Sequence, residues 1–433
     1  MIYVLMVFLI CIFLMAFMLS GGELLSPWVI TTGMFILSSF VIVLNSYKWG
    51  TDYDVFAIIL ICSGLLFFGF GEITSRLIVQ QRFLNSPQRS TEKHRIIVPV
   101  HQLLFVILVM SIILFIDLRA TMRAGNSIGS ISDITSFLSN SRSALSGDGF
   151  SKGIASRLVV FNKALGYIFT YICFYNLILF KSRYRLSLYI IPVLIFMGNA
   201  LISTGRTEFL SFIIYLIMLI LILLKSSNRW SVRGTLKVLK IVFFGILLFF
   251  ILFTFVGRLG GKGIYNSPLD YIYYYTGSSL YLFNSFVGNY DGSLHEFGST
   301  TLYGLFNLLN VLGFDIPVGE VALEMSYIPH FYSNIYTAYR RYIQDYGIIG
   351  LLIIQYFLGL LYGGIFEKIR KFNLSNFTVI LYCAQFFPII EMVIEERFMV
   401  KILTSTNFLF LLLLYLSYRL LVNSNFEVLE DEK

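Results

Sequence analysis

The apolar positions of this chain do not trace one face of a helix or a strand. They come in unbroken runs at roughly 2–19, 27–44, 55–71, 98–118, 158–180, 187–203, 207–224, 236–256, 347–366, 376–394 and 403–422. Crossing the hydrocarbon of a bilayer takes about 17 to 25 residues of helix, so the pattern predicts about 11-12 transmembrane helices. The expected fold class is an all-α polytopic membrane protein, a single integral membrane domain over 1–433.

The polar segments between the runs fall into two classes. Segments 72–97, 181–186, 225–240 and 367–375 hold 16 Lys and Arg in about 57 positions. Segments 45–54, 119–157, 204–208, 257–346 and 395–402 hold about 13 in roughly 150. Basic residues gather on the cytoplasmic side, which puts the first class inside, the second outside, and the C-terminus inside. Both long loops are then external: a first external loop at 119–157 and a large external loop at 257–346. Within the second, residues 270–346 are rich in Tyr, Phe, Asn and Gly, and Tyr303 to Phe314 is too short to span but suits an interfacial or re-entrant helix. An ordered external cap is expected there. No internal repeat relates the two halves, which argues against an inverted-repeat transporter.

Composition narrows the class further. The chain has 433 residues, 57% of them apolar and 13% charged, and a mean hydropathy of +0.80. A soluble domain carries roughly 25% charged residues. The net charge of +8 is spread over short loops, so orientation in a membrane explains it and nucleic acid is not an expected partner. Cys11, Cys62, Cys173 and Cys383 stand singly in apolar runs, which supports neither a disulfide framework nor a zinc site. The N-terminal apolar run lacks a basic leader and a small-residue cleavage site and reads as a retained span.

Charges at membrane depth or at span ends mark candidate chemistry. In Ser203-Thr204-Gly205-Arg206-Thr207-Glu208, a short break between two apolar runs places Arg206 at a helix start, where a cation and free N–H groups can seat a phosphate; the plain alternative is an Arg206–Glu208 pair facing lipid headgroups. Arg258 follows a span among Gly257, Gly260, Gly261 and Gly263, a backbone able to wrap an anion. The densest constellation runs from Pro329 to Gly350. If it is helical from about Asn334, then Asn334, Thr337, Arg341 and Asp345 form one polar stripe beside Arg340, although an interfacial belt of Tyr and Arg would look similar. His330 is a candidate general base or an ordinary loop histidine. Asp52-Tyr53-Asp54 has the form of a metal-dependent sugar-transferase motif but reads better as a cap on the following span. Glu395-Glu396-Arg397 reads as a local salt bridge or as an external site contributing Arg397.

Leu25-Ser26-Pro27 opening a span, the Ser203–Glu208 hairpin, Asn334-Ile335-Tyr336-Thr337-Ala338-Tyr339 followed by Asp345-Tyr346-Gly347-Ile348-Ile349-Gly350, and the late Glu396-Arg397 together resemble an O-antigen polymerase of the Wzy type, over nearly the whole chain. The resemblance implies a GT-C-like, metal-independent glycosyltransferase of the bacterial inner (cytoplasmic) membrane with its active site facing the periplasm or exterior. Such an enzyme makes O-antigen or capsule by transferring an undecaprenyl-diphosphate-linked glycan donor onto an undecaprenyl-diphosphate-linked repeat-unit acceptor. It uses no cofactor, and its partners are membrane lipids and a polysaccharide chain-length regulator. On this reading Arg206, Arg258, Arg340, Arg341 and Arg397 hold the pyrophosphate, His330, Glu208 or Asp345 assists the acceptor hydroxyl, and Asn334, Tyr336 and Thr337 contact the glycan. Two rivals stand beside it: a lipid-linked oligosaccharide flippase or transporter, and a GT-C monosaccharide transferase using Asp52 and Asp54.

Overall fold

The computed structural model describes residues 1–50, 52–83, 94–146, 152–203, 206–227, 240, 268–319, 322–329, 331–372 and 376–427. In chain order its helices are α1 (Ile2–Leu19), α2 (Pro27–Leu44), α3 (Ser46–Trp49), α4 (Val55–Phe83), α5 (Val100–Ile128), α6 (Ile134–Ser146), α7 (Ile154–Leu179) and α8 (Leu186–Ile202). They continue with α9 (Arg206–Ser227), α10 (Pro268–Gly288), α11 (Tyr303–Val311), α12 (Ala338–Phe372), α13 (Asn376–Ala384), α14 (Phe387–Glu391) and α15 (Ser405–Tyr418). Short strands β1 (Arg95–Ile96) and β4 (Phe426–Glu427) pair with each other, as do β2 (Ser326–Ile328) and β3 (Phe331–Ser333), both antiparallel.

Among the described residues, 8 helices are long and apolar enough to cross a membrane, and two shorter apolar helices lie at Leu186–Ile202 and Asn376–Glu391. These coincide with all the expected spans except 236–256, of which only Lys240 is among the described residues. The protein is an all-α polytopic membrane protein. It divides into two compact units, each built from three separated stretches.

The first unit comprises Met1–Arg89, Ser267–Leu374 and Phe386–Ser405. Its main contact is α4 against α12. A Cβ on Gly71 would collide with the Tyr356 carbonyl, and one on Gly359 with the Phe68 carbonyl, so the two backbones touch where the glycines sit. Gly359 and Gly363 form the small-xxx-small spacing that lets membrane helices approach closely. Buried Glu72 of α4 caps α2: its carboxylate accepts bonds from Trp28 N at 2.8 Å and Ser26 Oγ at 2.6 Å. Arg76 neutralises Glu72 and donates to the Leu19 carbonyl and Ser20 Oγ. These partners explain why α4 runs to Phe83 although 72–97 reads as a loop: charges inside the protein need not end a helix when each has its counter-group.

The second unit comprises Ser90–Asn266, Ser375–Gln385 and Thr406–Lys433. Helix α7 runs through its core, with Tyr167 stacked on Tyr215 at 4.3 Å. A polar chain is buried beside it. Asp117 of α5 accepts from Lys152 Nζ at 2.9 Å and Asn199 Nδ2 at 2.9 Å, and Asn162 donates to Asn199 at 2.7 Å.

Several expected boundaries move. Helix α5 continues to Ile128 and α6 follows, so much of 119–157 is helical. The 257–346 segment holds the 21-residue α10, started by Pro268 in its first turn, and the shorter α11. The span expected at 347–366 begins at Ala338 and bends at Gly347 (φ 70, ψ −176), a conformation that glycine adopts at little cost. The run at 376–394 breaks before Pro388 into α13, in the second unit, and α14, in the first.

Candidate functional site

The charges of the Pro329–Gly350 constellation gather in the first unit, at the start of α12. The chain enters through the β2–β3 hairpin and stays non-helical over 334–337. Helix α12 then begins with Ala338, whose N–H donates to the Met392 carbonyl at 2.9 Å. That bond sets the first turn of α12 against the segment after α14. The late start corrects the expected polar stripe: Asn334 and Thr337 precede the helix, Asn334 is exposed, and only Arg341 and Asp345 share a helical face.

Arg340 and Arg341 are both buried, at 2% and 1% exposure, and take different surroundings because adjacent helical residues point about 100° apart. The Arg340 guanidinium lies over the Tyr336 ring at 3.8 Å and the Phe286 ring at 4.9 Å. Its Nε donates to Gln344 Oε1 at 3.2 Å, and it forms an ion pair with Glu324. Nη1 of Arg340 and Oγ1 of Thr337 are buried with no hydrogen-bond partner among the described residues. Glu324 is the solvent-facing side of this pair, with 61% of its side chain exposed. Partial burial raises its pKa, but hydrogen bonds from Arg340 and its own backbone N–H, with the arginine charge, outweigh that and hold it below the ordinary glutamate value.

Arg341 belongs to a chain of charges. Its Nη2 is 3.8 Å from Glu395, whose other oxygen meets Arg397 Nη2 at 2.6 Å, and Arg397 Nε lies 3.2 Å from Glu391. Burial works against the charge on Arg397, but Glu395 and Glu391 overcome it and hold its pKa above the usual arginine value. Glu396 is fully buried and faces elsewhere: it accepts from Met399 N and Val400 N, each at 2.8 Å, and from the Tyr342 hydroxyl at 3.0 Å. Burial raises its pKa, and the two backbone N–H groups offset only part of that.

Asp345 is engaged on both oxygens. Thr300 donates through N at 3.1 Å and Oγ1 at 2.9 Å, and Thr301 through N at 2.8 Å and Oγ1 at 2.7 Å. The carboxylate therefore fixes the Thr300–Thr301 turn to α12. The bend at Gly347 frees the Gln344 carbonyl, which accepts from His295 N at 2.8 Å and ties down a second point of the preceding loop.

The structure thus brings Arg340, Arg341, Arg397, Asp345, Tyr336 and Thr337 into one region of the first unit. Tyr336 sets its ring against Arg340, and its hydroxyl shares a hydrogen bond with Ser326 Oγ, 2.6 Å away. Arg206 and Glu208 belong to the second unit, where Arg206 is the first residue of α9 and its side chain lies outside the described set. Glu208 pairs with Lys163 at 2.6 Å. His330 and Arg258 lie outside the described residues. Asp54 caps α4 by accepting from Phe56 N at 2.6 Å. Among the described residues no group of three or more His, Cys, Asp and Glu converges as a metal site.

Sequence reasoning missed Glu324, Glu391 and Gln344. Glu391 carried a signal, a carboxylate inside the apolar run 376–394, and so did Gln344, four residues after Arg340 in a stretch expected to be helical; Glu324 carried none, because it lies 16 residues from Arg340. No protein-family model, curated protein or solved structure matches the chain.

Proposed function

We propose that the protein is a polysaccharide repeat-unit polymerase, a glycosyltransferase with a GT-C-like fold. It acts on undecaprenyl-diphosphate-linked donor and acceptor at the outer face of the bacterial cytoplasmic membrane, under a cap formed by the 257–346 segment. The observation that carries this reading is the buried Arg340 guanidinium, packed over two aromatic rings and, among the described residues, left with one unpartnered nitrogen and an exposed glutamate as its counter-ion. A diphosphate is a better ligand for such a cation than a single carboxylate, so it can displace Glu324.

In the proposed reaction the acceptor hydroxyl oxygen attacks the anomeric carbon of the donor glycan. The bond from that carbon to the diphosphate breaks, and the electron pair leaves on undecaprenyl diphosphate. Arg340, with Arg341 and Arg397 behind it, stabilises the charge that develops on the leaving group. The acceptor proton passes to a base, for which His330 is the candidate, and Asp345 acts as a positioning residue. Asn334, Tyr336 and Thr337 are the candidates for the glycan. Two buried charge networks, Glu72–Arg76 and Asp117–Lys152, favour a second reading as a lipid-linked oligosaccharide transporter, since charges deep in spans often line a transport path.

Purified protein in vesicles, given undecaprenyl-diphosphate repeat units in EDTA, should yield a ladder of longer glycans. Arg340→Ala should lower the rate at least about a hundredfold, and Arg340→Lys should not restore it, because an ammonium lacks the planar stacking surface. A normal ladder from Arg340→Ala sinks the assignment. Movement of lipid-linked repeat units across the bilayer without any ladder supports the transporter instead.

A further inference from the structure

We infer that the outward face of the β2–β3 hairpin is a saccharide-stacking platform formed by Tyr327 and Tyr332. The inference rests on the polymerase reading for the source of its ligand and deepens it by naming where the sugar chain lies.

Side chains alternate across a strand, and the hairpin register pairs Tyr327 with Tyr332. Ile328 and Ser333 point inward and are buried, and Ser326 turns inward to the Tyr336 hydroxyl. The two tyrosines point outward. They are 59% and 60% exposed, with ring centroids 5.3 Å apart and planes inclined by 63°. Cross-strand aromatic pairs stabilise hairpins, but a pair kept only for that purpose gains most when it is covered. This one leaves more than half of each residue's surface exposed.

The platform is anchored, and its hairpin is tied to the buried cation through the opposite, inward face. Tyr274 donates to the Pro329 carbonyl at the hairpin turn at 3.4 Å, and Glu324, two residues before β2, pairs with Arg340. Tyr336 connects the two regions, with its ring against Arg340 and its hydroxyl on Ser326, the residue next to Tyr327. In a lipid-linked glycan the first sugar is bonded directly to the diphosphate. A diphosphate at Arg340 therefore delivers its sugar chain to the surface beside it. Aromatic rings there offer flat apolar faces to the C–H groups of pyranose rings, and exposed Asn334 adds an amide for their hydroxyls.

The test uses the full chain in lipid nanodiscs. The probe is the neutral oligosaccharide released by mild acid from the polyprenyl carrier of the producing bacterium, so that no diphosphate takes part. Saturation-transfer NMR should show binding by the wild-type protein and by Tyr327→Phe/Tyr332→Phe, and binding about tenfold weaker in Tyr327→Ala/Tyr332→Ala. A separate Tyr332→Trp variant should change its fluorescence when the oligosaccharide is added, which guards against misfolding of the alanine variant. Wild-type affinity in the double alanine variant, or no binding by the wild-type protein, overturns the platform. So does an indole signal in the Tyr332→Trp variant that brominated lipids quench and oligosaccharide leaves unmoved, which would place the rings in the bilayer. If binding behaves as expected while purified wild-type protein makes no ladder, the platform stands and the polymerase reading falls.

Discussion

Arg340 and Asp345 sit five residues apart on one helix and are almost equally buried, yet they meet opposite kinds of surroundings. Four donors from a single turn satisfy Asp345, whereas Arg340 keeps a nitrogen without a partner among the described residues. The sequence shows both as charges leading into an apolar run and so marks them as candidates. It does not separate the clamp from the open cation, because the partners Thr300, Thr301 and Glu324 are 16 to 45 residues away. Glu396 yields a pH prediction at the same scale. Its pKa is raised in the folded state, so the folded protein holds that proton to higher pH than the unfolded chain. Its contribution is fully present below the ordinary value of 4.5 and is lost as pH rises through the folded value. Thermal unfolding midpoints in detergent should therefore fall as pH rises above about 4.5, and Glu396→Gln should flatten that part of the profile. An unchanged slope in the glutamine variant would assign the effect to another group.

At the scale of elements, the apolar runs were legible because membrane length and backbone hydrogen bonding leave few choices. Their ends were less so. Helix α4 overruns its expected end because Glu72 and Arg76 find partners inside the protein, and α12 starts nine residues before its apolar run because its polar first turns are buried in the first unit. The glycines at the α4–α12 contact were visible as letters, but their function requires knowing which helix faces which. Gly359→Val should force the two backbones apart and lower the thermal midpoint sharply, with a loss of about 3 kcal/mol, the upper end of the range for overpacking. Gly364, whose nearest neighbour to an added Cβ is 3.5 Å away, should accept alanine with little change, and equal losses at both positions would contradict the close contact.

For the whole molecule, the distribution of Lys and Arg predicts which side of the membrane each loop faces. In a variant lacking the four native cysteines, Ser293→Cys should react with a membrane-impermeant maleimide in intact cells, and Ser182→Cys only after the membrane is opened. The reverse order would invert the orientation and move the arginine cluster to the cytoplasmic side. The division into two interleaved units was not legible at all: hydropathy marks where a chain crosses a membrane and carries no record of which crossings pack together. That interleaving has a consequence for synthesis. Gly71 waits for Tyr356, made about 285 residues later, which at about 5–20 residues per second is roughly 15 to 60 s. Throughout that interval the groove on α4 has no helix to fill it, and a nascent α4 must be shielded by lipid or by the insertion machinery until α12 arrives.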